Sequence, residues 1–77
     1  MKRPTIYERT LCANIATCRL ALGLTQQGLA NALGVTRARV GAWEQYEACP
    51  RLQELRRLAA VFARTIEELV MGRIIPA

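Results

Sequence analysis

Between Thr25 and Gln45 the chain reads TQQGLANALGVTRARVGAWEQ, and its punctuation leaves little choice of fold. Thr25 and Thr36 are N-cap residues, each set directly before a short run with helical apolar spacing. Leu29, Ala30 and Leu33 share a face of the first run, while Val40 and Trp43 share a face of the second, with Glu44 beside them. Gly34 stops the first run, and Val35 is a lone apolar anchor in the turn. Two helices joined by so tight a turn cross at a wide angle, so the outer face of the second projects from the surface. Ala30 falls near the crossing, where a larger side chain would push the helices apart.

The same punctuation divides the rest of the chain. From Tyr7, the positions Leu11, Ile15, Cys18 and Leu22 recur at helical spacing, which predicts a first helix ended by Gly23 and sealed by Leu24. The third helix is expected from Arg37 to about Gln45, before a break at Pro50. Arg51 to Ala63 resumes with Leu52, Leu55, Leu58, Ala59 and Phe62 inward. Thr65 caps a last helix, IEELVM, with Glu67 and Glu68 in the first turn, where the helix dipole favours anions. Gly72 ends it. No strand pattern competes, so the expectation is all-α: five short helices in one domain, 1–77, with a basic arm at 1–5 and an apolar tail at 73–77.

Charge narrows the function classes. Eleven Lys and Arg face six Asp and Glu, a net charge of +5, and ten of the cations are arginine. The arginine fork suits bidentate bonds to phosphate or to guanine edges. A basic balance in a small domain points to a polyanionic partner, although basic domains that bind protein or acidic lipid also exist. The absence of histidine and of any C-x-x-C spacing among Cys12, Cys18 and Cys49 argues against a zinc site. Neither paired carboxylates nor a nucleophile with a nearby base is visible, so no enzyme, cofactor or small-molecule substrate is expected. There is no signal-peptide core and no apolar run able to span a bilayer, which fits a cytoplasmic, membrane-free protein with reduced thiols.

The residues LGLTQQGLANALGVTRARVGAWE resemble the helix-turn-helix of the lambda-repressor and Cro-like family, also called the xenobiotic-response-element family. NIATCRLALGLTQ is similar to that family's first helix and PRLQELRRLAAVFARTIEELVMG to its fourth and fifth, so the likeness covers about residues 10 to 72. The resemblance implies a lambda-repressor-like domain that binds double-stranded DNA as a transcriptional regulator, most simply a repressor. It places Arg37, Ala38 and Ala42 at bases and Gln26, Thr36, Arg39, Gln45 and Arg51 at the DNA backbone, with Arg19 and Glu44 as an internal pair. An antitoxin with a toxin partner, a restriction-modification controller, or an interaction module that has lost DNA binding stay open as alternatives.

Several positions leave more than one reading. Gly28 stands where the family often has Glu, so the capping box with Thr25 is missing and the second helix is expected to be softer. Tyr46 and Ala63 replace glycines at two helix exits, and Arg64 replaces an apolar follower; a side chain in a left-handed cap is sterically penalised, so a different turn is open at Tyr46. Tyr46 itself either covers the core edge or faces the sugar-phosphate backbone. Ala38 and Ala42 are helix surface or thymine-methyl contacts, and Gly41 permits close backbone approach or is free drift. Trp43 reads as core, with base stacking as the alternative. The cysteines read as buried small hydrophobes, with a redox role for an exposed Cys49 as the alternative. MKRP is a basic end or a minor-groove arm. Leu69, Val70, Met71, Ile74 and Ile75 either fold back on the first helix or form the two-fold interface of a homodimer.

Overall fold

The computed structural model describes residues 3–72 and residue 74. Its helices are α1 (Ile6–Ala21), α2 (Gln26–Leu33), α3 (Arg37–Glu44), α4 (Leu52–Phe62) and α5 (Ile66–Met71), with no strand among the described residues. Arg51 and Ala63, expected inside the fourth helix, are its caps, and Gln45 is the cap of α3.

Thr5, assigned above to the basic arm, is the N-cap of α1. Its Oγ1 accepts the Glu8 N–H at 3.1 Å, while Glu8 Oε1 accepts the Thr5 N–H at 2.8 Å. Thr65 and Glu68 repeat that reciprocal box on α5. The two helices of the central unit have one-sided caps. Thr25 accepts only from Gly28 N–H at 2.9 Å and Thr36 only from Arg39 N–H at 3.2 Å, because neither partner has a carboxylate to send back.

Four helix exits share one hydrogen-bond pattern. Beyond α1, Leu24 N–H reaches Arg19 O and Gly23 N–H reaches Leu20 O; beyond α2, Val35 and Gly34 do the same to Ala30 and Asn31. Gly23 and Gly34 have φ of +70° and +72°, the left-handed region that a side chain enters only at a penalty. Tyr46 beyond α3 and Ala63 beyond α4 close the same two bonds with φ of 61° and 52°. The different turn left open at Tyr46 is therefore not taken. The backbone bonds that end α3 outweigh the side-chain penalty.

The core draws on every helix: Leu11, Ile15 and Cys18 from α1, Leu29, Ala30 and Leu33 from α2, Val40 and Trp43 from α3, Leu58 and Phe62 from α4, and Leu69 from α5. Leu22 does not join it. The chain turns after Ala21, so Leu22 becomes the C-cap and stands exposed, while Leu24 packs on the core in its place. Asn14 is a buried polar residue on α1 whose Nδ2 donates to Leu69 O at 2.9 Å and Gly72 O at 2.8 Å. That amide satisfies carbonyls left open where α5 ends and ties α5 across α1.

Val70 and Ile74 pack against the same core, so these tail residues fold back, whereas Met71 stays exposed and Ile75 lies outside the described residues. Among the described residues no helix is long and apolar enough to cross a membrane, and no cluster of His, Cys, Asp and Glu could hold a metal ion.

Candidate nucleic-acid interface

Val40 and Trp43 are wholly buried and hold α3 from one side. Ala30 is wholly buried on α2, and Val35 packs against the core from the turn. With α3 anchored on that stripe, its opposite face is left to solvent. Thr36, Arg37 and Ala38 are exposed and Ala42 is half-buried; Gln45 and Arg51 are exposed beyond the helix. A helix held this way fits a major groove about 12 Å wide. Thr36, Arg37, Ala38, Ala42, Gln45 and Arg51 thus keep accessible surface outside the packed stripe of α3.

Each edge of α3 is pinned by a carboxylate. On the edge facing α1 and α2, Arg19 Nε donates to Glu44 Oε2 at 2.7 Å and Nη2 to Oε1 at 3.0 Å. Arg19 Nη1 also donates to Leu24 O at 2.7 Å, so one guanidinium fixes both the exit of α1 and the end of α3. Glu44 Oε1 further accepts Gln26 Nε2 at 3.3 Å, and Gln26 Oε1 accepts Arg37 Nη1 at 3.3 Å. Glu44 has no proton to give when ionised, so it takes the amide N–H₂ of Gln26 and leaves the amide oxygen turned to Arg37. Gln26 therefore lies at the start of α2, where free N–H groups favour an anion, and steadies an exposed arginine beside it.

The edge facing α4 carries a pin that sequence reasoning missed. Arg39 Nε and Nη2 both donate to Glu54, the second at 2.7 Å, and Glu54 Oε1 also accepts the Arg51 N–H at 2.8 Å. The Arg39 guanidinium carbon lies 5.6 Å from the centroid of the Trp43 ring, within cation–π range. Expected at the DNA backbone, Arg39 is thus engaged inside the domain. The hydrogen bond from Arg39 holds the Glu54 carboxyl below its ordinary value, with the Arg51 amide adding to the effect. No signal in the sequence joins two residues fifteen positions apart across a proline break. Only the tertiary fold, which brings the start of α4 beside the side chain of Arg39, does so.

Further charge is settled on the periphery. Arg64 pairs with Glu68 at 3.3 Å, whereas among the described residues Arg37, Arg51, Arg56 and Arg57 form no salt bridge. The thiols are poor candidates for chemistry. Burial pushes Cys12 up to about 11, with its Sγ–H on Ala48 O, and also raises Cys18. Cys49 is half-buried rather than exposed, and burial together with Glu8 raises it too, which opposes the thiolate a redox sensor needs.

Two helices crossing through a left-handed glycine, with the second projecting a basic face, define a helix-turn-helix domain. A helix-turn-helix family model matches residues 15–69, and the chain belongs to that family, the Cro/C1-type helix-turn-helix proteins. Its members are DNA-binding regulators, which makes this chain a DNA-binding transcription regulator and not an enzyme. No curated protein matches the sequence. Among solved structures, the fold is similar to that of the P22 c2 repressor protein, crystallised in complex with synthetic operator 9T in the presence of Tl+. The TM-score is 0.77 at 24% identity, covering 82% of this chain and 96% of that one.

Proposed function

We propose that the chain is a sequence-specific repressor that occupies a double-stranded operator with α3 in the major groove. Arg37, Ala38 and Ala42 read bases, while Gln26, Thr36, Gln45 and Arg51 hold the backbone. The observation that carries this reading is the Gln26–Arg37 contact: a guanidinium with no carboxylate partner among the described residues, steadied at 3.3 Å on the exposed rim shared by α2 and α3. Such a fork can exchange a neutral amide for a guanine edge or a phosphate at little loss.

The P22 c2 repressor, of like fold, was captured on an operator, which supports the same mode of action here. Ala38 and Ala42 offer methyl contact rather than hydrogen bonds, so part of the discrimination comes from thymine methyls and DNA shape. One module makes few phosphate contacts, and a homodimer placing two α3 helices about 34 Å apart would double them.

Selection of bound duplexes from a random pool tests the reading. Recovery of a motif with two-fold symmetry is expected, and Arg37→Ala should relax preference at one or two positions, at about 1–3 kcal/mol. Failure to bind any duplex even at low salt would sink the DNA reading.

A further inference from the structure

Two arginines of α3 stand two residues apart and are held in unlike ways. Arg37 rests on a neutral amide oxygen. Arg39 has its Nε and Nη2 closed on the Glu54 carboxylate, which also accepts the Arg51 backbone N–H at 2.8 Å at the start of α4. A carboxylate and a phosphodiester make the same demand on a guanidinium fork: two anionic oxygens in one plane, accepting two parallel N–H bonds. The pair is not sealed in the core, since the Arg39 side chain is 32% exposed. It lies on the flank of the helix whose outer face carries Ala38 and Ala42, the side that a DNA strand would follow if that face entered a groove.

We infer that Glu54 is an affinity-setting residue, which in the DNA-free protein fills the Arg39 fork that a backbone phosphate would otherwise take. The inference rests on the DNA reading of α3 given above. A phosphate arriving at Arg39 must displace a carboxylate rather than water, and a displaced but nearby carboxylate repels it. Arginine stays charged at any accessible pH, so the block lies with Glu54 and not with the cation. Glu54 thereby withholds one sequence-independent contact, lowering affinity for all duplexes alike while leaving base preference at Arg37 untouched.

Glu54→Gln tests this directly. The amide keeps an acceptor for the Arg51 N–H, so the start of α4 is preserved, but it releases the charge that closes the fork. Binding to a mixed-sequence duplex of about 25 base pairs is followed by fluorescence anisotropy across a salt series. Glu54→Gln is expected to bind about three- to tenfold tighter at the lowest salt, with the slope of log affinity against log salt steeper by about 0.9, one phosphate's worth. The double variant Arg39→Ala/Glu54→Gln should lose that gain. Glu67→Gln, which removes an exposed charge elsewhere, should leave the slope unchanged.

Equal or weaker binding by Glu54→Gln overturns the inference, as does a gain that survives Arg39→Ala or is matched by Glu67→Gln. In each of those cases the wild type still binds, and the DNA reading stands. Absence of binding by both wild type and Glu54→Gln overturns the DNA reading and the inference together. Binding by Glu54→Gln alone supports both.

Discussion

The two edges of α3 use the same chemistry at different depths. Facing α1, the Arg19–Glu44 pair is 13% and 9% exposed, and it shares its carboxylate with Gln26. Facing α4, Arg39 is 32% exposed against 12% for Glu54. A charge pair near the core has no water to fall back on, so each partner depends on the other for its solvation. A pair at the rim can be exchanged, since water or a ligand can replace either member. Depth, not bond length, therefore assigns the first pair to stability and the second to what the surface offers a ligand.

Removing one partner on each edge should separate the two roles. Arg19→Ala strands the Glu44 carboxylate and frees Leu24 O, and urea unfolding should show a loss of about 3–5 kcal/mol. A loss under about 1 kcal/mol, the range of exposed pairs, would break the comparison at its deeper side. Arg39→Ala should lose less, about 1–2 kcal/mol, as the sum of a half-exposed ion pair and a cation–π contact with Trp43. If the two variants are equally destabilised, depth is not the variable that matters.

Acid offers the same contrast without mutation. The Glu54 carboxyl is depressed in the folded protein below its ordinary value of 4.5, mainly through the bond from Arg39. A depressed carboxyl contributes stability that is complete above the unfolded value and is lost as pH falls through the folded one. Stability should therefore decline below about pH 4.5, and Glu54→Gln should show a shallower decline over that window. An identical acid limb in both proteins would mean that the Arg39–Glu54 pair is no tighter folded than unfolded.

What the sequence revealed and hid follows the same division between local and distant physics. The caps at Thr25, Thr36 and Thr65, the glycine exits and the inward pair Val40 and Trp43 are local patterns. Periodicity and cap chemistry suffice to find them. The Arg39–Glu54 pin, the Asn14 bridge to the end of α5 and the exposure of Leu22 depend on which helices meet and where α1 turns. No short window contains that information.

The exits at Tyr46 and Ala63 are the instructive case. Residue type left a different turn open at Tyr46, but the bonds from Tyr46 N–H to Trp43 O and from Glu47 N–H to Ala42 O hold the left-handed backbone there, as those from Ala63 and Arg64 to Ala60 and Ala59 do beyond α4. Tyr46→Gly should accordingly stabilise the domain by about 1 kcal/mol, the left-handed penalty less the greater chain entropy of glycine. Thermal unfolding measures it. A destabilisation would mean that the half-exposed Tyr46 ring covers enough apolar surface to offset its strained backbone.

The smallest effect tests where the α1–α2 edge of α3 gives way to its outer face. Gly41 is half-buried in the helix interior, and a Cβ there would meet Gln26 Oε1 at 3.7 Å, an ordinary contact with no other atom near. Gly41→Ala should gain helix propensity of up to about 1 kcal/mol, reduced to the extent that Gln26 shifts. Because the methyl lands toward Gln26 rather than along Ala38 and Ala42, DNA affinity is expected to stay unchanged while the melting temperature rises. A stabilised protein with weakened binding would mean that the DNA backbone approaches α3 over Gly41. The contact surface would then extend onto the edge that the Gln26–Arg37 contact occupies in the free protein, and that bond would have to open for DNA to bind.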